Sequence, residues 1–309
     1  MPEPLTQTPY VSVIIPVFND ADALKICLSA LSHQTYPKDC YEVIVVDNGS
    51  KDKEPIAQVV SQFRQVSIAY EHQPGSYAAR NKGISLAKGD ILAFTDADCV
   101  PTAGWLEHGV QQFLETPNCG MIAGKVELFF KDSKKPTAVE LYESIELDFP
   151  QDKLLEVEHF GVTANLFTSK EILNDIGPFN ATLKSGGDRE WGNRVFEAGY
   201  KQIYAEKASV KHPARYSWAQ LYKRITRING GLFDLKKSKL SSTELTKSLA
   251  KDLVLAFTPP FRSLFRIWAD QRLVTPEQKL QFISAMLFVR YISAWERIRL
   301  KLGGQSRRW

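Results

Sequence analysis

Short, continuous runs of apolar, β-branched residues alternate with stretches in which apolar residues recur at helical spacing. Val11–Val17 (VSVIIPV) and residues 41–46 (YEVIVV) are apolar almost throughout, the pattern of strands buried on both faces of a parallel sheet. Val66–Tyr70 and Ile91–Thr95 predict two further strands. Between them, Asn19 and Asp20 can start a helix that carries Leu24, Cys27, Leu28 and Leu31 on one face. Helices are also predicted over residues 52–63 and 78–87. This alternation predicts an α/β fold with a mostly parallel central sheet, flanking helices and right-handed crossovers.

The pattern weakens from residue 127 to residue 160, which reads as an irregular or helical insertion. A strand and then a helix return over residues 161–173, and residues 188–199 predict a helix with Trp191, Val195 and Phe196 as its apolar positions and Gly199 as its stop. Residues 217–235 read as a basic helix and 238–246 as a polar linker. Beyond residue 250 the chain is apolar, aromatic and basic. Over residues 280–302 the helical spacing places Leu280, Ile283, Leu287, Tyr291, Ala294, Ile298 and Leu302 on one side, with Lys279, Arg290, Arg297 and Lys301 on the other. Trp268, Phe282, Phe288 and Trp295 enlarge the apolar share. Such a helix suits a membrane interface, or packs on the body or a second subunit; Arg290 and Glu296 argue against a span.

Charge sharpens this division. The net charge of the 309 residues is +4, but the last 51 residues hold 10 Lys and Arg against 3 Asp and Glu, while the rest hold 29 against 32. A near-neutral body with a basic tail suggests either an anionic surface as partner or a solvated basic helix. No nucleic-acid-binding module is recognisable. Cys27, Cys40, Cys99 and Cys119 have no CxxC spacing, which argues against structural zinc and for reduced thiols in a cytosolic compartment. No signal peptide and no clean membrane span are read. The expected location is therefore cytoplasmic, with a peripheral membrane contact through the tail.

In a parallel sheet, ligands bind beyond the carboxyl ends of the strands. Phe18-Asn19-Asp20, Asp47-Asn48-Gly49-Ser50 and Asp96-Ala97-Asp98 all fall there. Asp96 and Asp98 repel each other unless something positive binds, which a divalent cation with phosphate oxygens would supply; an acidic turn is the simpler alternative. Asp188 follows Gly186-Gly187 at a helix start, where it can cap the helix, serve as a general base, or both. His212, stiffened by Pro213, is a candidate metal ligand or an ordinary buried histidine. The loop-to-helix segment over residues 74–83 holds Arg80 and Lys82 at a helix N-terminus. Lys223, Arg224 and Arg227 share a helix face that suits a phosphate or plain solvent.

Taken in order, these segments resemble glycosyltransferase family 2. They are VSVIIPVFND (11–20), EVIVVDNGSKD (42–52), PGSYAARNKGI (74–84), GDILAFTDADCVP (89–101), GVTANLFTSKEILNDIGPFN (161–180), SGGDREW (185–191) and VKH (210–212). The resemblance implies a GT-A, Rossmann-like fold over residues 1–235, with a donor half near 9–125 and an acceptor half near 126–235. Residues 236–309 would form a basic amphipathic helical region. It implies that Pro16, Val17 and Asn19 hold the nucleoside, that Asp47 contacts a uracil, and that Arg80 contacts base or phosphate. Asp96 would lie near the ribose, Asp98 would bind Mn2+ or Mg2+ with His212 nearby, and Asp188 would be the catalytic base. Arg224 and Arg227 are similar to the family's basic acceptor-side motif, with Ile228 where a Trp often stands; Gly187 stands where many members have Glu. The expected activity is inverting, metal-assisted transfer from a nucleotide sugar, by resemblance a UDP-sugar, to a glycan or lipid-linked acceptor. The alternatives are a non-catalytic nucleotide- or glycan-binding protein and a sugar-nucleotide pyrophosphorylase. The latter would want a glycine-rich loop where Pro16–Asp20 has none.

Overall fold

The computed structural model describes residues 8–146, 148–237, 258 and 267–307. The expected linker at 238–246 lies outside them. The chain falls into two compact units. One comprises the chain up to Glu127 with Phe149–Thr182 and Gly187–His212; the other comprises Leu128–Asp148, Leu183–Gly186 and the chain from Pro213 onward.

The first unit is built on an eight-stranded sheet. The four strands read from the sequence are β1 (Val11–Val17), β2 (Tyr41–Asp47), β3 (Val66–Tyr70) and β4 (Ile91–Thr95). They pair in parallel in the order β3-β2-β1-β4. Crossovers run through α1 (Ala21–Ser32), α2 (Glu54–Val60) and α3 (Ser76–Leu86). Asp20 caps α1 by accepting from the Ala23 amide at 3.2 Å, and Leu24, Cys27, Leu28 and Leu31 are buried as their spacing requires. Helix α2 is shorter than the predicted 52–63: Pro55 fixes its first turn, and beyond Val60 the Gln62 and Phe63 amides donate three residues back instead of four. Helix α3 lies close on β1; a Cβ at Gly83 would stand 2.4 Å from Ile14 Cγ2.

The sheet continues as β4-β7-β6-β8-β5, with β5 (Val100–Pro101), β6 (Cys119–Phe129), β7 (Asn165–Ser169) and β8 (Lys201–Pro213). Strand β7 runs antiparallel to β4, pairing Asn165 with Thr95. This reversal brings the start of β7 to the edge where β1, β2 and β4 end. Buried Asn165 secures the junction: it accepts from Trp105 Nε1 at 2.8 Å and donates to the carbonyls of Lys125 and Ala208, each at 2.8 Å. Trp105 opens α4 (Trp105–Glu115), while α6 (Gln151–Glu158), α7 (Lys170–Ile176) and α8 (Gly187–Glu197) complete this unit. Gly199 has a φ of +85°, the left-handed stop expected of it.

The second unit is helical: α5 (Ala138–Glu146), α9 (Trp218–Lys237) and α10 (Pro276–Lys301). Val139, Tyr142, Leu221, Ile225, Phe282 and Ala285 form its core. Most of the apolar stripe read over residues 280–302 is not the buried face of α10. Phe282, Ala285, Ala294, Glu296 and Leu300 are buried, whereas Leu280 and Tyr291 are more than half exposed and Leu302 is 72% exposed. The predicted stripe is real as a pattern, but only Ala294 of it is buried. Among the described residues, no helix is long and apolar enough to cross a membrane. All four cysteines are free thiols.

Candidate functional site

The ends of β1 and β2 form the first part of the site. Val17 pairs with Asp47 and Pro16 with Val46, and the Asn48 amide donates to the Val17 carbonyl at 2.9 Å. Asn19 turns back with a φ of +54°, a conformation Asn tolerates. Its amide donates to Ser50 Oγ at 2.8 Å and its Oδ1 accepts from the Lys51 amide at 2.8 Å. Asn48 ties in the third loop, donating to the Glu71 and Gln73 carbonyls and accepting from the Gly75 amide at 2.6 Å. Asp47 is wholly buried; its Oδ1 accepts from the Ser50 amide at 2.9 Å, while its Oδ2 has no hydrogen-bond partner. A buried carboxylate oxygen without a donor is costly. A ligand N–H, such as the imide or amide N–H of a nucleobase, would satisfy it.

The second part follows β4. Asp96 has a positive partner within the chain: Arg80, buried on α3, donates from Nη2 to Asp96 Oδ1 at 2.5 Å. Asp98 follows two residues on. Its Oδ1 lies 3.7 Å from Nε2 of buried His212 on β8, and its side chain is 39% exposed. Cys99 completes a group whose ligand atoms lie within 4.8 Å of one another. Burial, with repulsion from Asp96 and Asp98, pushes the Cys99 thiol well above its usual range, and its Sγ lies 3.8 Å from the Ala164 carbonyl oxygen. The same causes raise the thiol of Cys27, whose Sγ lies 3.7 Å from the Asp96 carbonyl oxygen. The Asp98 carboxylate and the His212 imidazole could hold a cation together with oxygen donors.

The third part is Asp188, in the first turn of α8. Its Oδ2 accepts from the amide and hydroxyl of Thr163 at 3.2 and 3.3 Å. Thr163 stands two residues before Asn165, the partner of Thr95, so Asp188 and Asp96 are tied to the same end of one strand pair. Oδ1 of Asp188 is buried with no hydrogen-bond partner of acceptable geometry. The Tyr77 phenol lies close by; burial first, and the Asp188 charge second, raise its pKa, which keeps it neutral. Gly187 is required here, since a Cβ would stand 2.7 Å from the Tyr77 ring. Tyr77 also lies beside Arg80, whose guanidinium carbon is 5.9 Å from its ring centre.

Pro16, Val17, Asn19, Asp47, Arg80, Asp96, Asp98, Asp188 and His212 thus all belong to the sheet unit. Arg224 and Arg227 lie on α9 in the helical unit, where Arg224 Nη1 donates to Oε1 of buried Glu143 at 3.1 Å. Thr163, Tyr77 and Asn48 hold the site and were visible only as members of longer motifs. Glu143 and its second partner Arg215 left no signal in the sequence, being 72 positions apart.

A sequence model of the family described as Glycosyl transferase family 2 matches residues 12–177. The chain is 39% identical over 254 residues to Glycosyltransferase AglE of Haloferax volcanii, a match that covers 81% of this chain and 82% of that protein. It is 30% identical over 212 residues to the Pre-mycofactocin glycosyltransferase of Mycobacterium tuberculosis, covering 66% of this chain and 43% of that protein. Among solved structures it is similar to the mannosyltransferase PcManGT of Pyrobaculum calidifontis, determined in complex with GDP-Man and Mn2+. The TM-score is 0.62 at 18% identity, over 95% of this chain and 88% of the other. At that identity the likeness speaks for the fold alone.

Proposed function

Because the chain belongs to glycosyltransferase family 2, we propose that it moves a sugar from a nucleoside-diphosphate sugar to a hydroxyl of a glycan or lipid-linked acceptor, inverting the anomeric carbon in one displacement. The observation that carries this reading is Asp188. One oxygen is fixed by Thr163 and the Tyr77 phenol stands beside the carboxylate, which supports a role as an oriented general base. Asp188 accepts the proton of the acceptor hydroxyl as that oxygen attacks the anomeric carbon. The bond to the diphosphate breaks on the opposite face, and the nucleoside diphosphate leaves with the bonding electron pair.

Asp47 Oδ2 accepts a base N–H. Uracil offers one at its imide, which supports a UDP-sugar; guanine offers N–H groups too, and the GDP-Man bound by the structural neighbour makes guanosine the second nucleoside to test. Pro16, Val17 and Asn19 shape the nucleoside pocket, with Arg80 holding Asp96 towards the ribose. Asp98 and His212 fit Mn2+ or Mg2+, whose charge would offset that of the diphosphate. Arg224 and Arg227 supply guanidinium charge for a phosphate group.

Location follows from α10. Leu280, Leu287, Tyr291, Trp295, Ile298 and Leu302 fall within an arc of about 80° at helical spacing, and Leu280, Tyr291, Trp295 and Leu302 are exposed. Lys279, Arg290, Arg297 and Lys301 lie along one flank of that stripe. This supports docking on an anionic membrane surface, tested by flotation with anionic liposomes before and after Trp295→Glu; equal flotation of both proteins counts against it.

The test of the activity is release of nucleoside diphosphate from UDP- and GDP-sugars with Mn2+ and with a chelator. Release that needs the cation and falls in Asp188→Asn is expected. No release from any donor with or without acceptor glycans, at Mn2+ saturation, would sink the reading.

A further inference from the structure

Tyr77 takes no proton in the proposed chemistry, yet its side chain lies against both Arg80, which holds Asp96, and Asp188. It stands in the first turn of α3 and is 7% exposed. Its ring is held firmly. It stacks on Phe179, with ring centres 6.0 Å and planes 29° apart, and its Cε2 and Cζ would stand 2.7 Å from a Cβ at Gly187. Phe179 is itself fixed. Asn81 Nδ2 donates to the Phe179 carbonyl at 2.7 Å, and the Phe179 amide donates to Asn81 Oδ1 at 3.0 Å. The Phe179 ring packs on Phe94 of β4 and Trp191 of α8, at 5.5 and 5.2 Å between centres. All these residues belong to the sheet unit.

Packing alone does not explain the hydroxyl. A phenylalanine would fill the same space, and a buried hydroxyl without a completed hydrogen bond costs free energy. The Tyr77 hydroxyl is in reach of the Asp188 carboxylate and is kept neutral there, so it serves as a donor and not as a second base. Oδ1 of Asp188 still lacks a donor of acceptable geometry. The phenol thus stands against the carboxylate without closing on that oxygen, while Thr163 grips the other. Such a contact limits rotation of the carboxylate and leaves one oxygen open to a substrate proton.

We propose that Tyr77 is a positioning residue for Asp188: its hydroxyl, fixed by Phe179 and Gly187, aims the carboxylate at the acceptor hydroxyl and ties that aim to the Arg80–Asp96 pair. The proposal rests on the reading of Asp188 as general base given above, and adds the group that orients it.

Tyr77→Phe keeps the ring and removes the hydroxyl. The full-length protein with Mn2+ is assayed for nucleoside diphosphate release from UDP-glucose and GDP-mannose with water as acceptor, and its affinity for UDP and GDP is measured by calorimetry. The expected result is a kcat lower by about tenfold, the equivalent of about one hydrogen bond to a charged group, with donor KM and nucleotide affinity kept. In an Asp188→Asn background the same substitution should lower the residual rate no further, because residues that act through one another are not additive. Unchanged kcat in Tyr77→Phe overturns the proposal. So does a fall that recurs in full beside Asp188→Asn, which has Tyr77 acting without the base, and so does a loss of nucleotide affinity, which moves Tyr77 to the donor site. Should Tyr77→Phe not fold, Gly187→Ala, whose Cβ pushes the same ring aside, is measured in the same way: lower kcat with nucleotide affinity kept supports the proposal, and unchanged kcat or lost affinity overturns it. A wild-type protein that releases no nucleoside diphosphate, or an Asp188→Asn variant as active as wild type, defeats the proposed activity instead, a result distinct from a Tyr77→Phe variant that turns over as wild type does.

Discussion

The two units treat buried acids in opposite ways. At the carboxyl edge of the sheet, Asp47 and Asp188 each have one oxygen held by the chain and one left without a partner. In the helical unit, both oxygens of Glu143 are engaged by arginine. A buried acid oxygen without a donor destabilises the empty fold unless a ligand or a water completes it. An acid closed on its own counter-charges instead fixes the groups around it. On the proposed reading, the difference separates residues that would act on substrate from residues that hold others in place.

Substitution can break this distinction. Asp188→Asn keeps an oxygen for the Thr163 donors but cannot take a proton. Transfer should fall by about 10²–10⁴-fold while the nucleotide-induced thermal shift persists; a fall of less than tenfold would remove Asp188 from the chemistry. Glu143→Gln unpairs a buried cluster and should cost about 3 kcal/mol of stability, read by denaturant titration. Asp47→Asn should do the reverse: the empty protein unfolds no earlier, since a costly charge has gone, while nucleotide binding weakens by about 10- to 100-fold as a charge-assisted hydrogen bond is lost. If Asp47→Asn destabilised as Glu143→Gln does, the contrast would fail. Thr275→Ala marks the lower end. It removes the side-chain half of the capping box that starts α10 and should cost about 1 kcal/mol, with no change in nucleotide affinity.

The parallel half of the sheet was legible in the chain because each strand is a short apolar run between turn residues, and burial on both faces forces that composition. The nine candidate residues of the sheet unit were picked out from ordered motifs at strand ends and helix starts, and the structure places all of them in that unit. The antiparallel turn of β7 was not, since its apolar residues look alike in either direction. Nor was the partner of Asp96: repulsion between residues 96 and 98 implied a cation, whereas Arg80, sixteen positions upstream, already supplies one positive charge. The buried face of α10 was not legible, because its pattern holds two apolar arcs and spacing alone does not say which one the core takes. Glu143 and Arg215 meet only through tertiary packing.

The Arg80–Asp96 pair has a further consequence. Since one of the two strand-end acids carries its own counter-ion, folding is expected to proceed without metal. Chelator treatment should silence catalysis and leave the melting temperature where it was, and adding Mn2+ back should restore turnover at once, without a refolding lag. A protein so built tolerates swings in metal supply as a reversible pause rather than as damage.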